Sequence, residues 1–173
     1  MSMNKEDVEH YCGVLKASAV FEGFTARELE ELVGACERKR LAAREALWAV
    51  GSSGDAAYIL IDGRIEEARR LPPDGQRVDQ VSQPGSLLGL AALVRQWDRE
   101  TTASALEQTE LLCLPRQSFE ELFDQGHSAA YRLVDEIAGQ LVEEMREANR
   151  RLHEVFGSPA ETLRTLRRRV RKA

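Results

Sequence analysis

Apolar positions change their spacing twice along the chain, which divides it into a helical start, a β-rich middle and a helical end. Residues 5–19 carry apolar side chains three or four positions apart, which predicts a helix ending near Ala19. Thr25, with Glu28 three positions later, forms a capping-box pattern and predicts the start of a second short helix. Between residues 36 and 114 the apolar runs are short and glycines separate them, which indicates strands. These strands are predicted at residues 37–42, 46–50, 56–62, 64–71, 77–82, 101–106 and 109–114.

The longest predicted helix lies near the C-terminal end. Pro115 favours the first turn of a short helix, and Gly126 favours its end. From residue 128 to residue 156 there is no proline, and apolar side chains recur every three or four positions. This pattern is typical of a helix with one face on its own domain and another on a partner. The candidate dimer-interface residues are Val134, Ile137, Leu141, Met145, Ala148 and Leu152.

These patterns predict an α+β protein in four segments. Many short strands with regular turns favour a sandwich or a barrel for the middle of the chain. The segments are N-terminal helices at 1–35, a β-roll at 36–126, a long helix at 127–156 and a basic tail at 157–173.

Charge is distributed unevenly. Residues 158–173 hold five arginines, one lysine and one glutamate, so this tail carries +5; with a net charge of −5 for the chain, the rest carries −10. An acidic body disfavours nucleic acid, and the tail at 164–172 is the candidate contact for nucleic acid, lipid headgroups or an acidic protein. The other interpretation is a tail without a partner, resting on the acidic body.

Several functional classes find no support in the sequence. No run of 18 apolar residues is present, and the polar N-terminus lacks a signal-peptide pattern, so we expect a cytoplasmic protein without a membrane span. Three isolated cysteines fit reduced thiols, and the scattered histidines lack metal-ligand spacing. Neither G-x-S-x-G nor a P-loop occurs. We therefore expect no metal, no catalytic residue and no enzymatic activity.

Residues 85–105 combine a Pro-Gly turn, a short apolar run and one arginine that follows it. The amides at the start of a short helix, together with an arginine returning to them, make an anion site. The sequences LGLAAL at 88–93 and RET at 99–101 resemble the phosphate-binding cassette of the cyclic-nucleotide-binding domain. That domain occurs in catabolite-activator-like bacterial regulators and in the regulatory subunit of cAMP-dependent protein kinase. Glycines at 51, 63 and 85, with the strand YILI at 58–61, match the β-roll of the same family.

The resemblance implies a particular fold and a signalling role. The fold is a β-roll, a double-stranded β-helix or jelly roll, with N-terminal helices and a long C-terminal helix. That helix covers the nucleotide and pairs with its twin in dimeric members of the family. A winged-helix DNA-binding domain is not expected, because only 14 residues follow Pro159. The implied ligand is a cyclic nucleotide or another anion bound by Arg99, although Arg99 as a surface arginine bridging Asp98 or Glu100 is the plainer interpretation.

Two cassette positions depart from the family pattern. Leu90 stands where the family has a glutamate that accepts a hydrogen bond from the ribose hydroxyl, and leucine cannot accept one. Glu100 stands where a small residue is expected; turned inward it repels a phosphate or occupies Arg99, and turned outward it does neither. We predict that Leu90 and Glu100 plug the pocket. The candidate ligand-binding residues are Gly89, Leu90, Ala91, Arg99, Glu100, Thr101, Thr102 and, on the long helix, Glu144.

Two functions from different classes follow. The first is a non-enzymatic adaptor with a pocket degenerate for cAMP and cGMP, which acts by forming a homodimer and by contacting a protein partner. The second is a sensor in which an anionic ligand reaches Arg99 and repositions the long helix. These residues also have interpretations without a ligand. Thr101 and Thr102 are explained by their strand propensity, and Glu144 is explained as a solvated charge on the helix.

Overall fold

The computed structural model describes residues 3–71 and 75–156, apart from the side chains of Leu71, Glu144 and residues 154–156. The chain divides into two compact units, residues 1–134 and residues 135–173. The first unit contains two antiparallel sheets with helices before and after them, and the described part of the second is helical. The predicted basic tail lies outside the described residues.

The elements follow the predicted order. The helices are α1 (Lys5–Lys16), α2 (Ala26–Gly34), α3 (Ala91–Val94), α4 (Arg116–Asp124) and α5 (Ser128–Phe156), with a 3-10 turn at Ala19–Phe21. The strands are β1 (Glu37–Leu41), β2 (Ala46–Trp48), β3 (Ala56–Asp62), β4 (Ile65–Leu71), β5 (Gly75–Val81), β6 (Leu87–Leu88), β7 (Thr102–Ala105) and β8 (Thr109–Pro115). No helix in the described part of the chain is long and apolar enough to cross a membrane.

The two sheets confirm the predicted β-roll. One has the strand order β1-β8-β3-β6 and the other β2-β7-β4-β5. The consecutive strands β3 and β4 belong to different sheets, so the turn between them carries the chain from one layer to the other. Gly63 makes this turn with a φ of +93°, a conformation that a residue with a Cβ rarely adopts.

The core of the roll lies between the sheets. Strand β3 is buried over six consecutive residues, 56–61, as expected for a strand covered on both faces. The cluster inside the roll includes Trp48, Tyr58, Leu60, Ile65, Leu88 and Leu111. The roll therefore has aromatic side chains at its centre, where the sequence predicts a ligand or a plug.

Element boundaries show where local signals were sufficient. The capping box of Thr25 and Glu28 is present at the start of α2, and α5 begins and ends at the predicted residues. α1 ends at Lys16 rather than near Ala19, because a 3-10 turn follows it. α4 begins at Arg116, with Pro115 at its N-cap. Strand β6 was not predicted, since two residues are too short to show an alternating pattern.

Candidate functional site

Backbone hydrogen bonds fix the position of Arg99. Its amide donates to the carbonyl oxygen of Ser52 at 2.8 Å, and its carbonyl accepts from the amide of Gly51 at 2.7 Å. The carbonyl of Trp97, two residues before Arg99, accepts from the amide of Gly54 at 2.9 Å. The segment before β7 is therefore tied to the loop after β2, and this sets the direction in which the Arg99 side chain leaves the backbone.

The Arg99 guanidinium is engaged by groups of its own chain. Nη2 donates to the carbonyl oxygen of Ala56 at 2.5 Å, and Nη1 lies 3.4 Å from the carbonyl oxygen of Gly89. Its central carbon lies 4.4 Å from the centre of a ring of Trp48 and 6.0 Å from that of Tyr58. Nε is buried and has no acceptor among the described residues. Arg99 thus turns into the roll.

Gly89 is required by this arrangement. Its φ is +67°, and a Cβ at this position would lie 2.3 Å from Nη1 of Arg99 and 3.5 Å from Cη2 of Trp48. A contact of 2.3 Å is shorter than packed atoms allow, so any larger residue would displace the guanidinium. The glycine that carries the family resemblance therefore serves the packing of Arg99 and Trp48.

Trp48 reaches the interior through an irregularity in β2. The pairing of β2 with β7 shifts register between Ala46 and Trp48, and both Leu47 and Trp48 are buried. A bulge of this kind redirects a side chain that strict alternation would place on the other face. The Trp48 ring stacks on Tyr58 with centroids 5.6 Å apart and planes at 30°. Burial is the main cause that raises the pKa of Tyr58 to about 12.

A chain of hydrogen bonds satisfies the polar groups beside the indole. Nε1 of Trp48 donates to Oγ1 of Thr101 at 3.2 Å, and this hydroxyl donates to Oε1 of Glu67 at 2.7 Å. Oγ1 of Thr102 accepts from the amide of Val50 at 3.1 Å. Both threonine hydroxyls therefore have partners within the protein.

Leu90 and the start of α3 follow Gly89 directly in the chain. Leu90 is 8% exposed, so the side chain at the divergent cassette position is packed rather than solvated. The amide of Ala92 donates to the carbonyl of Gly89 at 3.1 Å, and the amide of Leu93 donates to that of Leu90 at 3.0 Å. These two amides serve the turn itself. Ala91 is exposed.

The prediction that Glu100 turns inward and plugs the pocket is wrong. The Glu100 side chain is 75% exposed, and its Oε2 lies 3.0 Å from Nη2 of Arg69 on β4. Because successive side chains of an extended segment point to opposite sides, an inward Arg99 sends Glu100 outward. Arg99 does not act as a surface arginine bridging Asp98 or Glu100 either, since its guanidinium binds the interior groups described above.

Sequence reasoning missed Trp48, Tyr58, Glu67 and Arg69. Only three aromatic residues fall between positions 36 and 114, namely Trp48, Tyr58 and Trp97, so their scarcity was a usable signal. Glu67 and Arg69 carry no local signal, because charged residues are common on half-exposed strands.

The candidate dimer residues on α5 differ in exposure. Val134 is 36% exposed, Leu141 48%, Met145 65% and Leu152 54%, and Ala148 is also exposed. Ile137 is only 4% exposed. The side chain of Glu144 lies outside the described residues.

Comparison with known proteins gives consistent matches. The family model for the cyclic nucleotide-binding domain matches residues 38–126. The cyclic AMP receptor protein of Thermus thermophilus is 27% identical over 135 residues, which are 78% of this chain and 61% of that protein. The crystal structure of the Thermus thermophilus catabolite activator protein matches with a TM-score of 0.71 and 24% identity, over 80% of this chain and 63% of that one. A cyclic nucleotide-binding-like protein from Brucella abortus has a TM-score of 0.54 and 32% identity, over 65% of this chain and 97% of its own. The chain spans less than two thirds of the Thermus proteins.

Proposed function

The chain belongs to the cyclic nucleotide-binding domain family, and from this premise we propose that it is a non-enzymatic regulatory module whose roll does not take up cAMP or cGMP at micromolar concentration. It acts as an adaptor, through self-association and contact with a protein partner. The observation that carries the proposal is the inward-facing Arg99 guanidinium, which the chain's own carbonyls and Trp48 already engage.

An anionic ligand has to displace these contacts of Arg99. A hydrogen bond from a charged donor contributes about 1.5–3 kcal/mol, and a desolvated cation–π contact contributes about 2 kcal/mol. A phosphate must also approach a region where Trp48 and Leu90 are each 8% exposed. Binding is therefore opposed by the loss of existing contacts and by the burial of these side chains.

Leu90 opposes the sugar as well. Leucine offers no acceptor for a ribose hydroxyl, and losing a hydrogen bond to a charged acceptor costs about 1.5–3 kcal/mol. This cost corresponds to roughly a ten- to hundred-fold loss of affinity, which weakens a micromolar ligand toward ~0.1 mM.

Isothermal titration of the whole chain with cAMP and with cGMP tests the proposal. We expect dissociation constants weaker than ~100 µM for both. Arg99→Gln and Arg95→Gln form a matched pair, since Arg95 is exposed in the same segment. Heat that persists in Arg99→Gln does not come from this site. A low-micromolar constant that Arg99→Gln abolishes and Arg95→Gln preserves would contradict the proposal.

Self-association has a candidate surface on α5. Val134, Ala138, Leu141, Met145, Ala148 and Leu152 are all exposed and alternate in spacing between four and three residues. This is the spacing of a coiled-coil seam. These six residues form an apolar stripe along α5. Ile137, which the sequence predicts for the same surface, is not included, because only 4% of it is exposed. A second copy of α5 carries the same stripe, and pairing the two stripes would remove both of them from water.

A sensor for a small anion is the second candidate function. It is favoured by one observation, the buried Nε of Arg99 that finds no acceptor among the described residues. The same titrations separate the two candidates, because a sensor requires Arg99-dependent binding of an anion.

A further inference from the structure

The indole of Trp48 occupies a position with unusual contacts for a core side chain. It stacks on Tyr58, lies beneath the Arg99 guanidinium and faces the α-carbon of Gly89, where a Cβ would lie 3.5 Å from its Cη2. Its N–H has an acceptor in Thr101. An aromatic plane, a cation over its face and an acceptor at its N–H are contacts that would equally suit a bound heterocycle.

The same contacts define the state of Arg99. The guanidinium lies between the ring of Trp48 and the carbonyl oxygen of Ala56 on β3, and it approaches the carbonyl oxygen of Gly89 in the cassette. Arg99 therefore connects three segments that are distant in the sequence. Without the indole, this cation would lose the nearer of its two aromatic faces, because the ring of Tyr58 is 6.0 Å away.

We propose that Trp48 is a built-in ligand of Arg99. The indole fills the hollow of the roll and holds Arg99 against the cassette, so that no second molecule is needed for this arrangement. The hollow left by truncating Trp48 accepts a free planar heterocycle with one N–H donor, of which indole is the simplest. This inference rests on the proposed function, since it names the side chain that closes the pocket.

Chemical rescue tests the assignment, with Trp97 as the matched control. Trp97 is also close to an arginine, Arg95 at 5.8 Å, but is 57% exposed. In the whole chain we expect Trp48→Ala to bind indole with a dissociation constant on the order of 0.1–1 mM. The wild type and Trp97→Ala should bind at least about tenfold more weakly. Failure of folded Trp48→Ala to bind indole more tightly than Trp97→Ala would overturn the proposal.

Hydrogen exchange separates a built-in ligand from an ordinary core side chain. We expect the amides of residues 89–99 to exchange at least about tenfold faster in Trp48→Ala than in the wild type, and indole to reverse this change. A merely structural role predicts faster exchange throughout β3 and β8 as well, without selective reversal in the cassette. Uniform acceleration of this kind would also overturn the proposal.

A third measurement applies if Trp48→Ala does not fold. Trp97→Phe leaves Trp48 as the single tryptophan. We expect its fluorescence to resist acrylamide and to remain unchanged on addition of ~10 µM cAMP, well below the expected dissociation constant. Quenching as fast as that of a free tryptophan would overturn the built-in ligand.

The two proposals fail separately. Low-micromolar nucleotide binding that Arg99→Gln abolishes, with an unaltered Trp48 signal, defeats the proposed function alone. Absence of nucleotide binding in the wild type, together with no indole binding in Trp48→Ala, defeats the built-in ligand alone.

Discussion

The Glu28 carboxylate is buried at the start of α2, with only 6% of the residue exposed. Oε2 accepts from the amide and the hydroxyl of Thr25 at 2.7 and 2.9 Å, and Oε1 accepts from Nε of Arg132 at 2.8 Å. The Thr25 amide is the largest cause that lowers the pKa of Glu28 from 4.5 to about 2, and Arg132 adds to it. One ionised side chain therefore caps α2 and also joins it to the first turns of α5.

This lowered pKa makes a prediction for stability against pH. Because the pKa of Glu28 is lower in the folded state, its contribution is fully present above about pH 4.5 and is lost as the pH falls toward 2. The shift corresponds to a contribution of about 3 kcal/mol. Glu28→Gln should lower the free energy of unfolding at pH 7 by about 2–3 kcal/mol. Between pH 4.5 and 2, the free energy of unfolding of this variant should decline less steeply than that of the wild type, as measured by urea unfolding.

Glu30→Gln is the control for this measurement, because Glu30 is exposed on the same helix. We expect it to unfold at nearly the wild-type urea concentration at each pH. If the free energy of unfolding of Glu28→Gln declined as steeply as that of the wild type between pH 4.5 and 2, the assignment of this pH dependence to Glu28 would be wrong.

At the same scale, side-chain partners were the least predictable part of the site. The sequence identified Arg99 as a candidate, because an arginine after a glycine-containing apolar run is a local signal. Its acceptors, the carbonyls of Ala56 and Gly89, follow from the packing of three distant segments. The pairing of Glu100 with Arg69 depends likewise on how β4 lies beside β7, which no local pattern determines.

Among the elements, the turn between β3 and β4 constrains the fold most tightly. A Cβ at Gly63 would lie 2.6 Å from Oγ1 of Thr109 and 2.7 Å from the carbonyl oxygen of Gln108. The second of these is a backbone atom and cannot rotate away. Since this turn passes the chain between the two sheets, any shift of Gly63 disturbs both layers.

Gly63→Ala should therefore destabilise the protein by more than about 2 kcal/mol, through the unfavourable positive φ and the backbone contact. Gly13 gives the matched control. It lies in α1, and a Cβ there meets no described atom within 4 Å, so Gly13→Ala should stabilise by up to about 1 kcal/mol. Thermal unfolding of both variants measures the difference. Equal melting temperatures would contradict the role assigned to the turn.

Helices and strands were predictable to the extent that their signals are local. The capping box at Thr25 and the periodicity of α5 lie within the elements that they specify. The partition of strands into two sheets, and the register shift in β2 that turns Trp48 inward, depend on pairing with distant strands. The pattern of apolar residues therefore predicted a roll but could not identify the side chains at its centre.

For the molecule as a whole, the distribution of exposed apolar side chains argues for self-association. Half of the large apolar side chains that are exposed in the described residues lie on α5. Four of them, Val134, Leu141, Met145 and Leu152, belong to the stripe defined above. Apolar side chains at coiled-coil spacing on one helix favour a second helix with the same pattern. We therefore expect light scattering at tens of micromolar to give twice the mass of the chain.

Leu141→Glu and Leu152→Glu, alone and together, should dissociate this dimer. Each substitution removes an apolar contact of about 1.5–3 kcal/mol and leaves a charge to be buried without a partner. Gly139→Glu makes the same charge change two positions from Leu141 and off the stripe, at a site where a Cβ meets no described atom within 4 Å. It should leave the dimer intact, because its carboxylate remains in water. A monomeric wild type, or equal dissociation by Gly139→Glu and Leu141→Glu, would exclude the stripe as the interface and leave the adaptor to act through protein contacts elsewhere.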